Sequence, residues 1–538
     1  MTQSAFAAER LLFTPATPNT DAIPTIFAFP NEYSVGITSL GYQVVWATLA
    51  MRTDLQVSRL FTDARETLPR SPELVGFSLS WELDYINIFN LLAWLEIPRR
   101  AKERDRTHPL VFGGGPVLTA NPEPFADFFD IILLGDGEHL LGNLIDAYQQ
   151  VRTSDRFEQL RHLAQVPGIY IPSLYQVDYH DLTGTIKSIQ PIDGTIPNQV
   201  EKQTYRGNVL SASTVVTEKA AWENIYMVEV VRSCPEMCRF CLASYLTLPF
   251  RTASIETSLI PAIERGLKVT NRLGLLGASV TQHPEFTDLL DYLSQAQYDD
   301  LRLSIASVRT NTVTEKLAQT LVKRGTRSLT IAVESGSERL RAIINKKLEN
   351  DEIIQAAVNA KAGGLNNLKL YGMAGLPGEE PEDLAATVAT IQTLKKAVPG
   401  LRLTFGCSTF VPKAHTPFQW WGVNPQAEKR LKFLEKQLQR SGVEFRPESY
   451  NWSVIQALIS RGDRRLSHLL ELTRDYGDSL GSYRRAFKQL RGQLPELDFY
   501  VYDNWSTEQI LPWQHLQGAL PTATLIKHLD SAIAQFRP

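Results

Sequence analysis

Cysteine is scarce in this chain: four residues in 538. That number excludes a disulfide-built secreted scaffold, which depends on far denser cysteine. Long apolar runs are missing as well. No stretch reaches the roughly 18 residues that a membrane-spanning helix requires. The opening M-T-Q-S-A-F-A-A-E-R-L-L-F lacks the basic segment and apolar core of an export leader. Nor is there an excess of one charge. Fifty-five Lys and Arg against 58 Asp and Glu leave a net charge of −3 and a pI of about 6.4, so no global basic field favours a polyanion. With 43% hydrophobic and 21% charged residues and no repeats, the chain reads as a globular protein of roughly three domains. The reducing cytoplasm is its expected compartment.

Scarcity makes the placement of the cysteines informative. Cys234, Cys238 and Cys241 fall within eight positions, V-V-R-S-C-P-E-M-C-R-F-C, at the exit of the apolar run from Ile225 to Val231. Thiolates are soft ligands that select iron–sulfur clusters, zinc or copper(I). Structural zinc usually takes four protein ligands, and no second Cys or His pair follows. Electron-transfer clusters ordinarily use four cysteines. Three on one loop can hold three corners of a 4Fe–4S cluster and leave the fourth iron open for chemistry. The plain alternative is three buried cysteines that only pack.

The C-x3-C-x2-C spacing with Phe240 before the third cysteine resembles the cluster loop of radical S-adenosylmethionine (SAM) enzymes. The resemblance implies that Cys234, Cys238 and Cys241 ligate a 4Fe–4S cluster whose open iron binds SAM. An electron from a donor such as flavodoxin or ferredoxin then splits the sulfonium to a 5′-deoxyadenosyl radical.

The order of elements is that of an α/β protein. Over residues 1–150, short apolar runs at Thr25–Phe29, Val57–Phe61, Leu74–Leu79, Leu110–Phe112 and Ile131–Leu134 alternate with helical stretches. This predicts a doubly wound, Rossmann-like parallel sheet whose ligands sit beyond the strand ends. Those ends carry Ser78, Ser80, Gly113, Gly114 and Gly135, each of which also suits an ordinary turn. As a set they resemble the cobalamin-binding domain of one class of radical SAM enzymes. The segment Gly115–Asp127 with the following G-D-G-E matches an uncharacterised branch of that class. The resemblance implies that this domain cradles the nucleotide tail of cobalamin. The D-x-H-x-x-G loop that ligates cobalt in many relatives is absent; Asp178-Tyr179-His180 before Gly184 is one residue too long. A degenerate domain without cobalamin is the rival reading. Residues 151–222 read as hairpins and a linker.

Residues 223–412 repeat strand and helix about six times, with strands at Ile225–Val230, Leu273–Leu276, Leu301–Ile305, Leu329–Val333, Leu368–Met373 and Leu403–Phe410. Six such units resemble the partial TIM-like (β/α)6 barrel of the family. Barrel enzymes carry functional groups at the carboxyl ends of strands. That rule selects Gly277, Ser279, Ser304 or Ser307, Arg309 and Glu334. For SAM, backbone at Gly277–Ser279 would meet the amino group, and Arg309 a carboxylate. Glu334 with Ser304 or Ser307 would take the ribose hydroxyls or the ammonium. Cys407 reads as buried packing or a substrate-side thiol.

The remainder, 413–538, is expected to be mostly helical. Fourteen Lys and Arg against eight Asp and Glu over 426–492 fit either an RNA-facing surface or a solvated helix face. The reading as a whole is a radical SAM enzyme, a cobalamin-dependent methyltransferase on an unactivated carbon of an unknown substrate. Its alternatives are cobalamin-independent radical chemistry (rearrangement, oxidation or sulfur insertion) and a non-enzymatic, metal-stapled RNA- or protein-binding scaffold.

Overall fold

The computed structural model describes residues 5–306 and 308–536. Six strands build the N-terminal sheet: β1 (Ile23–Ala28), β2 (Leu55–Leu60), β3 (Leu74–Ser78), β4 (Leu110–Gly114), β5 (Ile131–Leu133) and β6 (Ile169–Tyr170). Their spatial order is β2-β1-β3-β4-β5-β6, all parallel except β6. Helices on both faces leave Leu74, Val75 and Phe77 at most 1% exposed, and burying each such side chain stabilises the fold by about 1.5–3 kcal/mol. From β1 the chain runs outward to β2 and then crosses back past β1 to β3 on its other side. This opens a crevice at the carboxyl ends of β1 and β3, where such sheets bind ligands. A hairpin of β7 (Tyr175–Tyr179) and β8 (Ile186–Pro191) follows and carries His180 on an exposed turn.

The second unit is an open barrel of parallel strands: β9 (Ile225–Glu229), β10 (Arg272–Leu276), β11 (Arg302–Ile305), β12 (Ser328–Glu334), β13 (Asn367–Ala374), β14 (Arg402–Thr409) and β15 (Glu444–Pro447). The first three form one ladder and the last four another, and among the described residues a bridge between Val308 and Ile331 joins them. The six expected strands are present. A seventh, β15, extends the sheet in parallel with β14, inside the segment expected to be mostly helical. Along β12, Leu329, Ile331 and Val333 turn outward into the helical layer, while Thr330, Ala332 and Glu334 alternate onto the interior face. Cys407 faces the packed side and is buried.

The C-terminal helices Tyr450–Arg461, Leu466–Asp475 and Leu480–Gln489 share one continuous core with the N-terminal sheet, and the first of them also packs against β14. The basic residues of this segment explain the attachment. Arg461 is fully buried, donates to the carbonyls of Tyr500 (2.8 Å) and Asp503 (2.9 Å), and lies 3.8 Å over the Trp505 ring. Arg464 pairs with Glu123 at 3.1 Å and donates to Tyr170 Oη at 2.7 Å. Tyr483 bonds Tyr85 at 2.8 Å. Arg461 and Arg464 are thus turned inward, Arg464 reaching the N-terminal domain, while Arg484 and Arg485 of the same run are exposed. Arg461→Ala leaves several buried carbonyls without donors, and a loss of about 3 kcal/mol or more is expected, read as a fall in thermal midpoint.

Two buried histidines make this architecture acid-sensitive. Burial pulls His415 and His515 down to about 4; the Ala120 carbonyl and Glu123, respectively, only partly oppose it. Unfolded histidine titrates near 6.5, so below that pH the unfolded state gains protons that the folded state does not. Stability is full above about pH 6.5 and falls toward pH 4, by ~1.4 kcal/mol per pH unit for each histidine. Thermal melts between pH 7.5 and 5 should show this slope, and His515→Gln should flatten it.

Candidate active site

Strand β9 runs directly into the loop that carries the thiols. Left-handed backbone at Ser233 (φ +70°) and Met237 (φ +55°) curls this loop over the barrel's carboxyl end. Three sets of hydrogen bonds hold it there. Arg239 donates from its backbone to Ile344 (2.9 Å) and from its guanidinium to Ala342 (3.0 Å). The Asn345 amide donates to the carbonyls of Glu236 (3.1 Å) and Met237 (2.8 Å). Tyr245 donates to Met237 O at 3.3 Å and bonds His528 of the last helix at 2.8 Å.

Cys234, Cys238 and Cys241 are free thiols that border one cavity of about 360 Å³. Burial pushes the Cys238 thiol up to about 12 and raises Cys241 as well, with the neighbouring thiols adding to the effect. Such thiols ionise when a metal replaces the proton. Among the described residues no three Cys, His, Asp or Glu side chains converge on a single ion. A multi-iron cluster asks for something else: sulfur donors spread round its corners. Three thiols about one cavity, with Ser279, Glu334 and Lys346 across from them, fit a cluster that keeps one iron free of protein.

Phe240, Ser279, Arg309 and Glu334 all line this cavity. Gly277 stands just outside it. Its backbone (φ +152°) passes so close to the segment after β9 that a Cβ would lie 2.6 Å from Val231 O, so glycine is required there for packing. Ser304 is exposed on β11, one residue before the strand end, and is not part of the cavity wall. Ser307 lies outside the described residues.

Arg309 is already engaged. It pairs with Glu236 of the cysteine loop at 3.0 Å and donates to Lys347 O (2.6 Å) and Asn311 Oδ1 (2.9 Å). Its guanidinium ties that loop to the exit of β11. Glu334 follows a register shift in β12, has φ +64°, and meets Lys346 at 3.2 Å. Burial opposes the Lys346 charge, but Glu334 and Cys238 together outweigh it and the ammonium's pKa rises. Glu236, Lys346 and Tyr371 were not visible as site residues from spacing. Glu236, within the cysteine loop itself, was the one open to inspection. Tyr371 stands 54% exposed on the interior face, its ring over Gly406, where a Cβ would come within 2.8 Å.

The crevice of the N-terminal sheet forms a second cavity, of about 230 Å³, lined by Ser78, Ser80, Gly114 and Gly135. Gly113 is not among them. A Cβ there would strike Leu118 and Phe129 at 2.6 Å, because Gly113 faces the helical layer on the alternate side of β4. At Gly114 a Cβ would meet nothing closer than Leu133 Cβ at 3.6 Å, so the backbone is bare toward the cleft. Val44, Val45, Phe77 and Leu141 make the walls apolar, Asp136, Glu138 and Arg232 edge them with charge, and no histidine lines them. An apolar slot with a bare backbone floor fits one flat heteroaromatic group, such as the base of a nucleotide tail.

An open parallel barrel with a three-thiol loop at its carboxyl mouth, joined to a doubly wound domain, defines the class. Matches to known proteins agree: the family model "Radical SAM proteins, N-terminal" covers residues 41–172 and "Radical SAM superfamily" covers 228–391. The chain belongs to the radical SAM superfamily. It is 27% identical over 452 residues to the uncharacterised protein MJ0966 of Methanocaldococcus jannaschii, covering 83% of this chain and 90% of that one. An uncharacterised methyltransferase of Pyrococcus horikoshii, PH0819, is 24% identical over 290 residues, 51% of this chain and 56% of its own length. Among solved structures, the radical SAM methyltransferase TsrM of Kitasatospora setae, with cobalamin and a 4Fe–4S cluster bound, shares the fold. The TM-score is 0.51 at 15% identity, over 74% of each chain. Among the described residues no helix is long and apolar enough to cross a membrane.

Proposed function

We propose that this protein cleaves SAM reductively and transfers a methyl group, with cobalamin, to an unactivated carbon. The carrying observation is the cavity bounded by three thiols and no fourth. When bound, a 4Fe–4S cluster supplies the electron that splits the sulfonium, and cobalamin supplies the methyl group.

The chain's own residues do the rest. Cys234, Cys238 and Cys241 hold the iron corners. Arg309 and Asn345 fix the loop that bears them. Ser279 and the Glu334–Lys346 pair face the open side, offering acceptors and a cation to the ribose hydroxyls and charged ends of SAM. Ser78, Ser80 and the bare backbone at Gly114 receive a nucleotide tail. The interior face of the barrel, with Tyr371 and Thr330, leaves room for a substrate next to the radical. Support for methyl transfer comes from the fold shared with TsrM and from the relative PH0819, described as a methyltransferase.

Two measurements test the reading. Anaerobically reconstituted protein should absorb near 400 nm and release 5′-deoxyadenosine from SAM with dithionite; no cluster absorbance would overturn it. Equilibrated with hydroxocobalamin and desalted, it should keep the corrin colour. SAM cleavage without retained corrin would leave only cobalamin-independent radical chemistry.

A further inference from the structure

Arg232 stands two residues before Cys234, in a short antiparallel ladder that pairs Val231–Arg232 with Arg251–Thr252. Its guanidinium is ringed by three carboxylates. Nε and Nη2 donate to Glu229 at 2.8 and 2.7 Å, while Nη1 meets Glu138 at 2.7 Å and Asp136 at 3.3 Å. Nη2 also donates to Ser211 Oγ at 3.2 Å. From the opposite strand of the ladder, Arg251 holds the second oxygen of Asp136 at 2.6 Å. Both strands next to the thiol loop therefore grip the same residue of the N-terminal domain.

That residue belongs to the cleft. Asp136 precedes and Glu138 opens the helix Gly137–Val151 that turns away from the end of β5, and they line the N-terminal cavity together with Arg232 and Ser211. One wall of the cleft is thus supplied by the barrel segment that leads into the cysteines. Only Ser233 separates Arg232 from Cys234, and Ser233 is pinned by its φ of +70° and by donating to Ala243 O at 3.1 Å.

We infer that Arg232 couples the two sites, so that occupancy of the N-terminal cleft and the geometry of the three-thiol loop are linked through its guanidinium. This rests on the reading that the cleft takes cobalamin and the loop a cluster. A guanidinium presents its donors in a rigid plane, and here that plane is committed on every side. It cannot follow Asp136 or Glu138 by rotating freely. A ligand that shifts their turn must move the Arg232 backbone with it, or strand half-buried carboxylates without a partner. Coupling of this kind is reciprocal: whatever the cleft ligand does to the loop, the loaded loop does to the cleft. Arg232 is a positioning residue in this scheme and touches neither reacting atom.

The test titrates hydroxocobalamin into the full-length protein with and without its reconstituted cluster, for wild type, Arg232→Lys, Arg232→Met and Glu138→Gln. The electron paramagnetic resonance spectrum of the reduced cluster is recorded with and without corrin. Wild type should bind hydroxocobalamin about tenfold more tightly when the cluster is present, the usual scale of inter-site coupling, and corrin should shift the cluster spectrum. Arg232→Lys keeps the charge but loses the planar fork. It should retain its cluster yet bring the affinity ratio close to one and silence the spectral shift. Glu138→Gln, which removes the contact from the cleft side and leaves the barrel intact, should do the same. A ratio near one in wild type with both groups bound, or a wild-type ratio persisting in cluster-bearing Arg232→Lys and Glu138→Gln, overturns the inference. Wild type that binds no hydroxocobalamin at all overturns instead the cobalamin reading on which it stands.

Discussion

Replacement of Cys238 by alanine is expected to strip the protein of its near-400-nm absorbance and bring reductive SAM cleavage to background. Changes to groups that merely hydrogen-bond a metal's ligands already cost about 10–100-fold, so loss of a ligand should exceed about a hundredfold. Cys238 is the most informative of the three because it is buried, whereas Cys234 and Cys241 are only half-buried. Water cannot easily take its place. The loop itself should survive the substitution, since it is held by Arg239, Asn345 and Tyr245 through backbone carbonyls and not through sulfur. Thermal stability of the metal-free Cys238→Ala and wild-type proteins should therefore agree closely. Alanine at Cys407 is the matched control: that thiol packs on the outer side of β14, so the cluster should form normally and only packing is lost. SAM cleavage that persists undiminished in Cys238→Ala would remove the basis for the enzyme assignment.

The parallel strands were legible because a strand covered on both faces has little choice but to be apolar throughout. L-V-G-F-S and L-V-F-G-G announce β3 and β4 without any context. The cysteine loop was legible for the opposite reason, since three soft ligands in eight positions have few other uses. Strand β15 was hidden. It is four residues long, E-F-R-P, ends in proline and lies at the sheet edge, where alternation has no room to show. The inward turn of Arg461 and Arg464 was hidden for a general reason: a basic residue is exposed by default. Only tertiary structure places Glu123 against Arg464 and Trp505 under Arg461. The Glu334–Lys346 pair and the Arg232 network share that opacity, because each joins residues from separate elements and neither partner's spacing points to the other. Gly113 and Gly114 differ by one position and by everything else. In a strand one residue's shift exchanges the two faces, so the motif located the turn but not which glycine opens onto the cleft.

That distinction gives the second large effect. Gly114→Phe is expected to abolish corrin retention while leaving the cluster in place. The bare Cα of Gly114 faces the cleft, with Leu133 as its nearest neighbour at 3.6 Å, so a benzyl group there has one direction open to it, into a cavity of only about 230 Å³. The ring would fill the space that a nucleotide tail needs, and it would do so without displacing core side chains. Phenylalanine at Gly113 is the contrasting substitution. It must penetrate Leu118 and Phe129, already within 2.6 Å of a Cβ, and overpacking of that kind destabilises by roughly 1–3 kcal/mol or more. The two variants should separate cleanly. Gly114→Phe should melt near wild type, keep its iron and lose its corrin, whereas Gly113→Phe should melt lower whatever its ligand content. Desalting after equilibration with hydroxocobalamin, with iron analysis and a thermal melt on the same samples, reads all three quantities. If Gly114→Phe retains corrin as wild type does, the cleft at the end of β4 is not where cobalamin's tail lies, however well it fits.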